Sequence, residues 1–178
     1  MLKVIFISGI HGSGKTTLGQ KLSQKMNLSF DSASNIIKKM NQINWDQEKR
    51  VSNINKNQDV LLAGINKLYS KEELIILDGH FTLIDSEYQI NYLPIEIFQN
   101  LNMSYIICCI TPLETVLERL KERDGNNTIK IDEIRRFHQA ELMHAKNIAN
   151  QLNVPVISYN TEMEELEYLI TTLIKGER

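Results

Sequence analysis

Apolar and polar residues along this chain fall into blocks that switch between two periods. Leu2-Lys3-Val4-Ile5-Phe6-Ile7 is a short β-branched run stopped by Ser8-Gly9, the pattern of a strand buried on both faces. Beyond a glycine-rich turn, Leu18, Leu22 and Met26 recur at helical spacing, which predicts a helix over Lys15–Met26. Leu28–Phe30 predicts a second strand, and Asp31-Ser32 after it caps a helix over Ala33–Met40. Asn41–Asp59 is polar and rich in asparagine and glutamine, and helical spacing resumes over Val60–Leu68. Glu73–Leu77 predicts a buried strand ended by Asp78-Gly79-His80, after which Phe81–Tyr92 reads as loop. Leu93-Pro94 introduces a short helix that ends near Leu101, and Ser104–Ile110 is another apolar strand. Leu113, Val116, Leu117 and Leu120 share one face of a helix over Leu113–Lys121, which the breaker cluster Asp124–Asn127 ends. Asp132 opens a helix to about Leu152, Val154–Ser158 predicts the last strand and Met163–Ile174 the closing helix. Strand and helix alternate throughout, so the expected class is α/β: a five-stranded parallel sheet with helices on both faces.

The length of 178 residues fits a single domain over 1–178. Hydrophobic residues at 42% and charged residues at 24% are enough for a core and a solvated surface. A net charge of -2 offers no general attraction to nucleic acid or to an anionic membrane, and no basic-aromatic stripe names nucleic acid as a partner. No stretch approaches the roughly 18 apolar residues of a membrane span. Cys108 and Cys109 are neighbours on a strand, point to opposite faces and make a mutual disulfide unfavourable. Together these features predict a cytoplasmic protein, monomeric or a small homo-oligomer, with no membrane partner.

The chemistry lies first in Gly9-Ile10-His11-Gly12-Ser13-Gly14-Lys15-Thr16, which satisfies G-x-x-x-x-G-K-[ST] between a buried strand and a helix. Such a loop turns several backbone N–H groups onto phosphate oxygens, and the helix that follows adds its positive end. The motif predicts ATP binding through Gly9, Gly12, Ser13, Gly14, Lys15, Thr16 and Thr17. Lys15 is placed to reach the terminal phosphates, and the Thr16 hydroxyl to ligate Mg2+. Asp78, directly after a strand, is the acidic residue expected beside that metal. The fold expected around such a loop is the three-layer P-loop NTPase fold.

Beyond the loop, the chain resembles the adenylate kinase group of nucleoside monophosphate kinases, most of all the archaeal-type and nuclear adenylate kinase-like proteins. The likeness is carried by Gly9–Thr17 with Leu18, by Asp78-Gly79-His80, by Tyr92-Leu93-Pro94 and by Val116–Arg123. It implies that Arg119 packs on the adenine and that Arg123 holds the transferring phosphoryl, with Asp124–Lys130 as a short lid (about 124–131). It also implies an acceptor-binding insertion over about 31–68, with Asp31, Ser32, Arg50 and Gln58 as substrate-binding candidates and Gly79 and His80 beside them. Lys15, Asp78, Arg119 and Arg123 would then form the catalytic set, because phosphoryl transfer requires positioning and cationic clamping rather than a side-chain nucleophile.

The sequence also departs from that family. The lid carries Thr128, Ile129 and Lys130 where further arginines are usual, although Arg135 and Arg136 stand at the start of the next helix. His80-Phe81-Thr82 replaces the arginine-bearing turn of bacterial adenylate kinases. His138 and His144 share one predicted helix and read as surface residues. The leading expectation is therefore Mg-dependent transfer from ATP to a nucleoside monophosphate. The alternatives are a kinase of another small acceptor (nucleoside, metabolite or polynucleotide end) and an ATP-dependent assembly switch with weak ATPase activity.

Overall fold

The computed structural model describes residues 2–43, 54–85, 89–124, 130–162 and 165–176. Its centre is a sheet of β1 (Lys3–Ser8), β2 (Ser29–Ser32), β3 (Leu74–Gly79), β6 (Met103–Ile110) and β7 (Val156–Asn160) in the order β2-β3-β1-β6-β7. Every pairing in it is parallel, so this is the five-stranded parallel sheet of the P-loop NTPase fold. Parallel strands need both faces covered, and the side chains alternate accordingly. Val4, Phe6, Leu77, Ile106 and Cys108 point to one face, packed by α2 (Ala33–Ile43), α3 (Ile54–Leu68), α4 (Ile95–Gln99) and α6 (Ile131–Leu152). Ile5, Ile7, Ile76, Ile107 and Cys109 point to the other, under α1 (Lys15–Met26) and α7 (Leu166–Gly176). The two cysteines are thus free, buried and on opposite faces.

A smaller apolar cluster lies beyond the strand ends, where Val116 and Leu120 of α5 (Leu113–Asp124) meet Ile10, Ile134 and Phe137. It ties the glycine-rich loop to the pair of helices around residues 125–129, which lie outside the described residues.

The structure corrects the expected elements in three places. Phe81–Tyr92 is not simply loop: β4 (Thr82–Ile84) and β5 (Ile90–Tyr92) pair antiparallel, Thr82 opposite Tyr92 and Ile84 opposite Ile90. Their three-residue strands are too short to show an alternation. The helix expected from Val60 begins at Ile54, because its polar first turns still lead into the buried Leu61 and Ile65. His144 is not a surface residue, since its Nε2 lies 2.7 Å from the Leu93 carbonyl oxygen and its ring meets Tyr92 edge-on at 5.1 Å. His138 is half-buried on the same helix. Among the described residues, no helix is long and apolar enough to cross a membrane.

Candidate active site

All the strands of the main sheet point their carboxyl ends the same way, and the loops leaving them gather the polar residues there, as in other open α/β sheets. The loop after β1 folds because Gly12 and Gly14 take φ of 81° and 86°, a region that side chains with a Cβ rarely enter. Gly14 then opens α1 with no side chain capping it, which leaves the first N–H groups of that helix for an anion. Thr111, just past β6, braces the loop from below by donating to the Ser13 carbonyl at 2.8 Å and meeting the Thr161 hydroxyl at 2.7 Å. The Ser13 hydroxyl is buried without a partner.

Lys15 is only 8% exposed, and its ammonium donates to the Gly9 and Ile10 carbonyls at 2.8 and 3.1 Å. Burial lowers its pKa and Arg123 adds to that, while Asp78, Cys109 and Glu141 pull the other way. The Thr16 hydroxyl donates to the Asp78 carboxylate at 2.8 Å, which brings the end of β1's loop and the end of β3 together. Burial raises the Asp78 pKa, whereas the Thr16 bond and the charge of Lys15 lower it. Two hard oxygen groups side by side, next to a phosphate loop, fit a magnesium ion by donor chemistry. Arg119 reaches back from α5 to donate to the Gly12 carbonyl at 3.0 Å and to pair with Glu162 at 3.4 Å. Lys15, Thr16 and Arg119 border a cavity of about 470 Å³, whose wall also carries Thr17, Lys21, Arg123 and Thr161.

A second cavity, of about 280 Å³, borders the Asp78 turn. Asp78, Gly79 and His80 form its roof, Ser34, Asn57 and Gln58 line it from α2 and α3, and Phe6, Leu93 and Phe98 are among its apolar walls. A third cavity of about 210 Å³ lies between β4, α5 and α6, reached by Arg123 and Glu133. His11 borders all three. Its ring stands 4.6 Å from that of His80, which is held neutral: burial pushes its pKa down to about 2, and Lys15 and His11 reinforce this.

Of the acceptor-side residues expected from sequence, Gln58, Gly79 and His80 meet at the second cavity. Asp31 does not join them. Its carboxylate is 5% exposed and is filled by protein donors, namely the Ser32 N–H, the Asn35 amide, the Lys39 ammonium and the Tyr69 hydroxyl. Burial alone would raise its pKa, but these four partners outweigh that and lower it. Ser32 caps α2 instead, accepting the Asn35 N–H at 3.1 Å, and Ser34 takes the place on the cavity wall. Arg50 and residues 125–129 of the expected lid lie outside the described residues. Arg135 pairs with Asp132 on its own helix.

The residue that sequence reasoning missed is Glu141. It is fully buried in α6, where its carboxylate accepts the Phe81 N–H at 2.9 Å, the Thr82 N–H at 2.7 Å and the Thr82 hydroxyl at 2.6 Å. It therefore fixes the chain immediately after His80. Burial raises its pKa, and the bonds from Thr82 and Phe81 oppose that rise. The available signal was its position on the apolar stripe Ile134, Phe137, Ala145 and Ile148, where a charge is out of place.

A family model described as an AAA domain matches residues 8–137, more than half of the chain. Two shikimate kinases are similar over nearly the whole length. The one from Caldicellulosiruptor bescii is 24% identical over 93% of this chain and 94% of its own. The one from Caldicellulosiruptor saccharolyticus is 25% identical over the same shares. Among solved structures, a shikimate kinase from Acinetobacter baumannii in complex with shikimate superposes with a TM-score of 0.58 at 18% identity, covering 100% of this chain and 96% of that one. That last likeness is one of fold.

Proposed function

The chain belongs to the AAA domain family, and from that premise we propose that it transfers the γ-phosphoryl group of ATP to a hydroxyl of a small, non-nucleotide acceptor. One observation carries this reading: the cavity at the phosphate loop and the cavity under Gly79-His80 are separate spaces that share His11, with Asp78 on the roof of the second. A plain ATPase or a nucleotide switch needs only the first. A transferase needs an enclosed space for a second molecule beside the phosphate it receives. The similarity to shikimate kinases supports a small acceptor over a nucleotide.

Each residue then has a task. The backbone of Gly9–Thr17 and the uncapped start of α1 hold the phosphates. Lys15 exchanges its two carbonyl partners for the phosphate oxygens. Thr16 and Asp78 would hold Mg2+, which when bound neutralises phosphate charge. Arg119 and Arg123 cover the donor cavity from α5 and counter the charge that spreads over the transferring group. In the transfer, the acceptor oxygen forms its bond to the γ-phosphorus while the bond to the bridging oxygen breaks. ADP leaves and the hydroxyl proton passes to solvent.

A nucleoside monophosphate is the competing acceptor, as the resemblance to adenylate kinases implied. It calls for a cation on the acceptor wall, and among the described residues that wall has neither lysine nor arginine. The test is ADP formation from Mg-ATP with and without added acceptors. A hydroxylated small molecule should raise the rate well above the acceptor-free rate; stimulation by nucleoside monophosphates alone would return the site to the adenylate kinase-like reading.

A further inference from the structure

We infer that the acceptor is an uncharged alcohol with an apolar body, an inference that rests on the kinase reading above and adds the acceptor's chemical class. The second cavity is walled mainly by Phe6, Ile37, Leu61, Leu93, Ile97 and Phe98. Its hydrogen-bonding groups on α2 and α3 are neutral: the Ser34 hydroxyl and the amides of Asn57 and Gln58. The only carboxylate on the wall is Asp78, among the described residues.

Among the described residues, the nearby lysines and arginines are turned to other tasks. Lys15 is held by the Gly9 and Ile10 carbonyls, Lys39 is paired with the buried Asp31, and Arg123 faces the donor cavity and the third cavity. A carboxylate or phosphate entering this space would exchange water for hydrocarbon, and among the described residues the wall has no lysine or arginine to offset the loss. An ammonium would lose its hydration against the same apolar surface, and Asp78 already accepts from Thr16. An uncharged molecule has neither cost. Its apolar part fills the floor, and its hydroxyl and other neutral groups meet the amides above.

The test uses the full chain with Mg-ATP and matched pairs that differ in one charge: shikimate and its methyl ester, 4-(hydroxymethyl)benzoate and its methyl ester, AMP and adenosine. Acceptor-dependent ADP formation gives kcat/KM for each. The uncharged member should lead by at least about tenfold in the pairs that are turned over. Gln58→Arg, which puts a cation on the wall, should shrink or reverse that ratio. Thermal shifts of the wild type with a non-hydrolysable ATP analogue give a reading that does not depend on the variant folding. The uncharged members should raise Tm and the anionic ones should not. Faster turnover of anionic members by the wild type, or a Tm rise with them alone, overturns the inference and leaves the kinase reading standing. No acceptor-dependent turnover and no Tm shift with any member overturns both.

Discussion

The two sides of His11 are built by different means. The donor side is centred on one uninterrupted stretch, Gly9–Thr17, whose shape follows from glycine backbone angles and the start of a helix. Thr111 braces it through the Ser13 carbonyl, and Arg119 and Arg123 of α5 add to the cavity wall. The acceptor side takes its walls from β1, α2, α3, β3, β4 and α4, elements far apart in the chain. What keeps those walls in register is a pair of buried carboxylates that touch no ligand site. Asp31 ties the end of β2 to α2 and, through Tyr69, to the end of α3, while Glu141 ties the turn after β3 to α6. A local loop tolerates change elsewhere in the molecule, whereas a wall assembled at long range depends on its anchors.

That contrast is open to direct attack. Lys15→Ala should reduce turnover by about a thousandfold with little change in stability, since it removes the point charge at the terminal phosphate and leaves the loop's backbone intact. Activity near that of the wild type would break the donor-side account. Glu141→Gln should instead cost about 3 kcal/mol of stability, because an amide presents N–H groups to donors that need an acceptor. Its signature in urea unfolding also depends on pH. The pKa of Glu141 is raised by burial, so its contribution is complete below the ordinary carboxylate value of 4.5 and is lost as pH rises through the raised one. The variant should lack that decline, and KM for the acceptor should suffer more than KM for ATP.

Asp31→Asn has the smallest expected effect, about 2 kcal/mol at neutral pH, since its Asn35 and Ser32 partners keep an acceptor while Lys39 loses its charge partner. The pH dependence has the opposite sign. A lowered pKa means that the Asp31 contribution is present above the ordinary value of 3.8 and lost as pH falls toward the folded one. The wild type should therefore weaken in mild acid by a step that the variant does not show. Equal acid profiles for the two proteins would remove Asp31 as an anchor.

The same contrast explains how much could be read from the sequence. The sheet, its order of strands and helices and the phosphate loop were legible because each is written in consecutive residues, down to the glycines and to Asp78 at a strand end. The acceptor wall was legible only in part. Gln58, Gly79 and His80 do border one cavity, but Asp31 turned inward to Lys39 and Tyr69, a fate set by residues in α2 and at the end of α3. Glu141 acts on residues about sixty positions earlier, so its role had no local signature beyond a charge on an apolar stripe. The β4–β5 pair was hidden for the same reason, since Glu141 and not alternation holds its first strand.

The central claim, that the second cavity receives a molecule to be phosphorylated, is tested most directly by following the phosphorus. ³¹P NMR of Mg-ATP turned over with an uncharged hydroxylated acceptor should show ADP and a phosphate monoester growing together, with inorganic phosphate a minor signal. ADP accompanied by inorganic phosphate alone, at a rate indifferent to the acceptor, would contradict it.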